Sequence, residues 1–293
     1  MLCASSLRRF NLKHLFRAIF PLFLLCVLLA ACGGSTATAG NSSTTSATTA
    51  PSSSPVTLNV FAAASLTESF NEIATQYQAK HSNVKITYNF NGSQALVQQM
   101  INGASADVFA SADQANMKKA SDAGLVDASQ IFAKNRLVVI LPASNPGKIN
   151  SLKDLANKGI KIDMEASTVP AGKYSLQVLD TMGKSAQYGP TYVSAVKANF
   201  VSQEENVKAV VQKVQLGEAD AGFVYRTDVT AAVANKIKVV DIPDEFNVIA
   251  QYPIATLKKA PNATEAQAFV QYILSTDGQA VLSKYHFISP TAS

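Results

Sequence analysis

Five positions, far apart in the chain, each offer a hydrogen-bond donor where the local pattern turns from strand to helix or ends a strand. Ser65 lies in Thr57–Phe70 (TLNVFAAASLTESF), where an apolar, β-favouring run empties into three alanines before an amphipathic helical pattern begins. Ser93 follows Gly92, between a strand-like run ending at Phe90 and a helical pattern carrying Leu96, Val97 and Met100. Ala171 sits in Val169-Pro170-Ala171-Gly172, where Pro170 fixes φ for a first helical turn and the small residues leave backbone N–H groups open. Val207 follows Glu204-Glu205-Asn206 and opens the helical run Lys208–Leu216, and Tyr225 closes the apolar run Ala221–Tyr225. A helix start leaves its first N–H groups without intrahelical partners, and the aligned peptide dipoles behind them favour negative charge. Such donors, joined by hydroxyls, make an anion site that needs no lysine or arginine. Each residue also has a plain structural role open to it. Ser65 and Ser93 can serve as N-caps, worth about 1 kcal/mol each, Glu204 and Glu205 can complement a helix dipole, and Tyr225 can be a core tyrosine with a satisfied hydroxyl.

The elements that must hold these donors alternate along residues 56–293, a length sufficient for two ordinary domains. Strands are expected near Thr57–Ala62, Lys85–Phe90, Val108–Ala110, Arg136–Leu141, Ile160–Met164, Ala198–Val201, Ala221–Tyr225, Lys238–Ile242 and Ala250–Leu257. Helices are expected near Leu66–Lys80, Gln94–Asn102, Gln114–Ala123, Leu152–Asn157, Gly172–Met182, Val207–Leu216, Asp228–Asn235, Glu265–Leu274 and Gly278–Tyr285. Alternation of this kind defines an α/β fold whose lobes are mostly parallel sheets flanked by helices. The closing helical pair implies that the chain returns to its first lobe. Residues 56–137 with 251–293 then form lobe 1, and 138–250 form lobe 2. Two lobes joined by crossing segments enclose a cleft, where strand ends meet helix starts.

The amino end reads as a targeting segment. Arg8, Arg9, Lys13 and Arg17 precede an apolar stretch, Ile19–Ala31, interrupted by Pro21 and shorter than the roughly 20 residues of a membrane-spanning helix. Residues 1–31 are thus expected to be a signal peptide. It ends in Leu29-Ala30-Ala31-Cys32, which resembles the lipobox of bacterial lipoproteins, so Cys32 is the expected lipid attachment point. Residues 33–55 are Ser, Thr, Ala, Gly and Pro with little else, a tether with a root-mean-square reach of roughly 25 Å. The whole chain carries +5, with a calculated isoelectric point near 9.0. Four of its 25 Lys+Arg and none of its 20 Asp+Glu lie in the leader, which leaves the mature chain at +1. The basic balance therefore gives no ground for a nucleic-acid partner. Cys3 and Cys26 also fall in the leader, so Cys32 stands alone and no disulfide framework is available.

Over Val56–Pro290 the chain resembles the substrate-binding proteins of molybdate ABC importers. The stretches that carry the resemblance are VFAAASLTESF, GSQALVQQMINGASADVFASAD (Gly92–Asp113), TVPAGKY, EENVKAVV, ADAGFVYRTD and the late YPIA at Tyr252–Ala255. The resemblance implies a two-lobed periplasmic-binding-protein fold of type II that closes on a tetrahedral oxyanion. Carried over position by position, it makes Ser65 and Ser93 hydroxyl and backbone donors from the first lobe. Ala171 and Val207 become backbone N–H donors from the second, and Tyr225 a phenolic donor. It implies molybdate or tungstate as ligand, bound as the oxyanion with no metal held directly and no cofactor. The partner is an ABC importer permease, and the protein is an exported monomer held by lipid at the outer face of the cell membrane, or periplasmic where there are two membranes. Gln94 stands where many relatives have a second serine, and Glu165-Ala166 where relatives often carry Asp-Pro. Whether a carboxylate such as Glu165 or Glu205 approaches the ligand stays open at this point, although a carboxylate repels a dianion.

Two other classes compete. The same fold could hold sulfate, thiosulfate or phosphate instead. An enzyme would need catalytic groups in the cleft, yet His81 and His286, the histidines beyond the leader, lie in an apparent turn and near the carboxyl end. There is no Gly-x-Ser-x-Gly elbow, no His/Cys cluster with zinc spacing and no glycine-rich phosphate loop. The expectation is a binding protein, not an enzyme.

Overall fold

The computed structural model describes residues 54–292. The expected signal peptide 1–31, Cys32 and nearly all of the tether lie outside the described residues.

The first sheet grows from β1 (Val56–Ala63), whose last residues are all buried. It pairs in parallel with β2 (Val84–Asn91) and with β3 (Val108–Ala110). Helices α1 (Thr67–Lys80), α2 (Ser93–Ile101) and α3 (Gln114–Asp122) connect and cover these strands. Next come β4 (Gln130–Asn135) and β5 (Leu137–Pro142), with only Arg136 between them. They belong to different sheets, so the chain crosses from one lobe to the other at that residue.

The second sheet contains β5 and then β6 (Ile162–Glu165), β7 (Phe200–Glu204), β8 (Ala221–Tyr225) and β9 (Ile237–Asp241). Strand β5, LVVILP, is buried at every position, as a strand covered on both faces must be. The flanking helices are α4 (Pro170–Gly183), α5 (Gly189–Ala198) and α6 (Val207–Gln215). In α6, Val207, Val210, Val211 and Val214 form one buried stripe, the i, i+3, i+4, i+7 spacing of an amphipathic helix. The chain then returns through β10 (Ala250–Thr256), which lies between β3 and β4, and ends in α7 (Ala263–Leu274) and α8 (Thr276–Lys284) packed beside α1.

The sheet orders are β2-β1-β3-β10-β4 and β7-β6-β8-β5-β9. Each keeps a parallel set, β2-β1-β3 and β7-β6-β8, and each becomes mixed where crossing strands enter. Strand β10 runs antiparallel to β3 and β4, and β5 runs antiparallel to β8 and β9. The α/β, two-lobed architecture thus matches expectation, with three local differences. Strand β4 and helix α5 were not anticipated, and the helix expected over Asp228–Asn235 is absent: Asp228 closes a one-turn 3-10 segment, Arg226–Asp228, and turns follow, with backbone bonds that include Val233 N–H to Thr230 C=O and Lys236 N–H to Val233 C=O.

Candidate anion-binding site

Four of the five candidate donors line one small pocket between the sheets: Ser65, Ser93, Val207 and Tyr225. Ala171 is fully buried beside it, its neighbour Pro170 being part of the wall. The residues lining the pocket include no lysine or arginine.

Neither serine is an N-cap. Ser65 lies inside a one-turn 3-10 segment, Ala64–Leu66, and the N-cap of α1 is Leu66. Ser93 is the first residue of α2 itself, after Gly92 as N-cap. Their hydroxyls are instead held in relays. Asn135 Nδ2 donates to Tyr252 Oη at 3.2 Å, and Tyr252 Oη lies 2.9 Å from Ser65 Oγ. Either hydroxyl can be the donor of that bond; with Tyr252 as the donor, the Ser65 hydrogen is left for another partner. Ser93 Oγ accepts from Ala112 N–H at 2.9 Å, which likewise leaves its hydrogen free.

The backbone donor at α6 is freed by its cap. Asn206 Oδ1 accepts from Ala209 N–H at 3.2 Å, so the N–H of Val207, two residues earlier at the helix start, is not consumed by it. Tyr225 ends β8 with 1 % of its surface exposed, and its hydroxyl is buried without a hydrogen-bond partner among the described residues. Its ring meets that of Tyr252 at 5.7 Å and 71°, edge to face, with no hydroxyl-to-hydroxyl bond of sound geometry. Burial, then the neighbouring Tyr252 and Glu165, raise the Tyr225 phenol well above its ordinary value, so it stays a donor.

The α4 start differs from expectation. Its N–H groups are not open: Glu165, the last residue of β6, accepts from Ala171 N–H at 2.6 Å and from Gly172 N–H at 3.2 Å, both on Oε2. The approach requires glycine at 172, because a Cβ there would run into the carbonyl oxygens of Ala166 and Glu165. Burial, with Asp228 and Asp113 nearby, pushes the Glu165 carboxyl up to about 8, against the lowering by the two N–H donors. With the carboxyl in place the pocket has a volume of about 10 Å³, room for about one water molecule.

Polar contacts lock the two lobes around this point. Lys208 on α6 reaches Glu68 on α1 at 2.7 Å and Asp228 at 3.3 Å. Lys173 on α4 stands 3.8 Å from Asp113. Gln94, the departure noted at the start of α2, donates to the Glu205 carbonyl at 3.0 Å, and a Cβ on Gly92 would strike that same carbonyl. Both lysines next to the pocket are thereby engaged by carboxylates. Sequence reasoning missed this latch and the Tyr252–Asn135 relay. Tyr252 stands in the YPIA stretch, which marked it as notable without giving it a partner. His81 stacks on Tyr77 at 4.1 Å and His286 is exposed, and neither is among the residues lining the pocket.

Two lobes closed over buried, neutral donors define a binding protein for a small anion-like solute. The model of a family described as bacterial extracellular solute-binding protein matches residues 58–288. The molybdate-binding protein ModA of Mycobacterium tuberculosis is 36% identical over 248 residues, covering 82% of this chain and 90% of that protein. ModA of Escherichia coli is 32% identical over 238 residues, covering 78% and 88%. In fold, the periplasmic molybdate-binding protein of Azotobacter vinelandii superposes with a TM-score of 0.68 at 22% identity, covering 80% of this chain and all of that one. The chain belongs to the bacterial extracellular solute-binding proteins and, within them, to the molybdate-binding protein family.

Proposed function

We propose that the protein captures molybdate, and tungstate nearly as well, between its two lobes and delivers it to the permease of an ABC importer. The observation that supports this most is the Tyr225 hydroxyl: buried, without a partner among the described residues, and walling a pocket that Ser65, Ser93 and Val207 also line. An unsatisfied buried hydroxyl costs about 1–3 kcal/mol, a cost that a ligand oxygen would recover. Ser65, Ser93, Val207 and Tyr225 are the proposed donors, with Ala171 N–H joining them once it is released by Glu165.

Without a cation in the wall, selectivity rests on size and on hydrogen-bond sense. Every group offered is a donor, so an anion that keeps its own proton, such as hydrogen phosphate, sets a donor against donors. Sulfate has the right charge but is smaller and stretches the contacts, whereas tungstate nearly matches molybdate. Ligand that contacts both lobes favours the closed form, which is the form a permease would recognise. Residues 56–137 with 251–293 are proposed as lobe 1 and 138–250 as lobe 2, with each crossing displaced by one residue, since Leu137 already pairs in the second sheet and Ala250 in the first. Cleavage before Cys32, lipidation of its thiol and a tether over 33–55 would keep the protein at the membrane surface. No catalytic step is part of this reading.

The test is a calorimetric and thermal-shift panel of molybdate, tungstate, sulfate, thiosulfate and phosphate on the purified protein. Saturating ligand at 100 times its dissociation constant raises stability by about 2.7 kcal/mol. Molybdate and tungstate should give that shift at far lower concentration than the others. A shift led by sulfate or phosphate would make the protein a carrier of that anion instead.

A further inference from the structure

The carboxyl of Glu165 sits where the anion-site reading places a ligand oxygen. Its Oε2 takes the N–H groups of Ala171 at 2.6 Å and Gly172 at 3.2 Å. It does so from the end of β6; the N-cap of α4 is Val169, which makes no side-chain bond. In chemical terms this oxygen stands in for one oxygen of an oxyanion, meeting backbone donors at a helix start. While it is there the pocket is too small for a tetrahedral anion, and the hydroxyl of the neighbouring, buried Tyr225 has no partner among the described residues. Withdrawal of this one side chain would release Ala171 N–H and enlarge the pocket together.

We propose that Glu165 is an internal ligand which the oxyanion displaces: the carboxyl holds the start of α4 closed until the anion takes over its N–H donors, and then moves out of the pocket. This rests on the anion-binding reading above.

The surroundings give the displacement a proton balance. Glu165 faces Asp113 from the loop before α3 and Asp228 from the turn after β8. Tyr225 faces it from β8, and Tyr252 and Tyr174 are the other titratable neighbours of that phenol. The nearest cations are already engaged, Lys173 by Asp113 and Lys208 by Asp228 and Glu68. Held at about 8 in the pocket, the carboxyl carries a proton at neutral pH; once in water it returns to the ordinary value of 4.5 and gives the proton up. The exchange is then neutral buried carboxyl plus dianion going to bound dianion, exposed carboxylate and one released proton. Only the O–H bond of the carboxyl is broken. A carboxyl that stayed and donated its O–H to the anion would hold its proton more tightly in the complex, the opposite sign.

The experiment is calorimetric titration of the purified protein with molybdate at several pH values from 5.5 to 8.5, in buffers of different ionisation heat. Wild type, Glu165→Ala and Glu165→Gln are compared. Wild type should release close to one proton per molybdate at pH 6 to 7, with affinity rising by up to tenfold per pH unit between 4.5 and about 8. Glu165→Ala should bind at least tenfold more tightly than wild type at pH 6, with no pH dependence over this range. Glu165→Gln, which keeps an oxygen for the two N–H groups but cannot ionise, should bind more weakly than wild type at pH 8 and also lose the pH dependence. Proton uptake by wild type, or weaker binding by a folded Glu165→Ala, overturns the displacement. Failure of wild type to bind any oxyanion at any pH overturns the site reading itself, a result distinct from a wild type that binds with the wrong proton sign.

Discussion

Replacing Tyr225 with phenylalanine should move stability and affinity in opposite directions. The hydroxyl is buried and has no partner among the described residues, so without anion it contributes only its desolvation penalty, about 1–3 kcal/mol. Phenylalanine removes that penalty and keeps the ring, whose edge-to-face contact with Tyr252 at 5.7 Å is unaffected. The variant should therefore be as stable as wild type or more so, by a few degrees at the midpoint, since 1 kcal/mol is worth about 2–4 °C in a body of this size. Binding should suffer instead. A hydrogen bond to a charged oxygen is worth about 1.5–3 kcal/mol, so the dissociation constant for molybdate should rise by about 10- to 150-fold. Thermal melts without anion and calorimetry with molybdate measure the two effects on one sample. A variant that melts several degrees lower and binds unchanged would show that the hydroxyl serves the fold and not the ligand, and would remove the main support for the site.

Three further outcomes are expected. Ser65→Ala should weaken molybdate binding by about 1–3 kcal/mol and, unlike Tyr225→Phe, should also lower stability, because Tyr252 Oη loses its 2.9 Å partner and keeps only Asn135; calorimetry and denaturant unfolding read both. Lys208→Ala should cost about 3 kcal/mol or more in urea unfolding, because it strands the fully buried side chain of Asp228 without its cation; an unchanged midpoint would mean that Asp228 is satisfied by other means. The folded-state value of Glu165, about 8, lies above its ordinary 4.5, so the folded protein holds this proton more tightly than the unfolded chain. Its contribution to anion-free stability is complete below pH 4.5 and is lost as pH rises to about 8, by at most about 1.4 kcal/mol per unit, and Glu165→Gln should abolish that part of the slope in melts across this range.

The strands that feed the pocket were readable because their ends carry a local signal. Strand β1 runs from Val56 into alanines, β8 ends at Tyr225, and α6 opens at an asparagine followed by a valine stripe. Strand β4 had no such signal. It is separated from β5 by Arg136 alone, and a chain that changes sheets at one residue looks from its sequence like one strand with a ragged start. Helix α5 begins at Gly189-Pro190, a pair that reads as a turn, whereas here proline lies within the first helical turn. The segment Asp228–Asn235 has helical composition but is used for turns beside the buried Asp228. Glu165 is the instructive case at the site. The sequence shows a carboxylate six residues before Ala171, but only the turn through Ala166–Val169 reveals that it folds back onto the helix start. The Lys208–Glu68 pair, 140 positions apart, has no sequence signature at all.

The arrangement separates two tasks that a lysine in the pocket would merge. A cation in the wall would attract any anion and would hold the lobes together whether or not the size was right. Here Lys208 and Lys173 lie beside the pocket, each facing carboxylates, and they tie lobe to lobe. On the proposed reading, closure draws on ion pairs outside the pocket, while the solute would meet neutral N–H and O–H groups, among them the Ser65 and Ser93 hydroxyls held through Tyr252, Asn135 and Ala112. Donors fixed in direction discriminate by length: an oxyanion of the wrong radius cannot reach all of them at once, and each one missed leaves a buried group unpaired at about 1–3 kcal/mol. Two missed contacts would already separate two dianions of equal charge by more than tenfold. On the proposed reading, fixed neutral donors would thus supply the selectivity, and charge at the margin the closure.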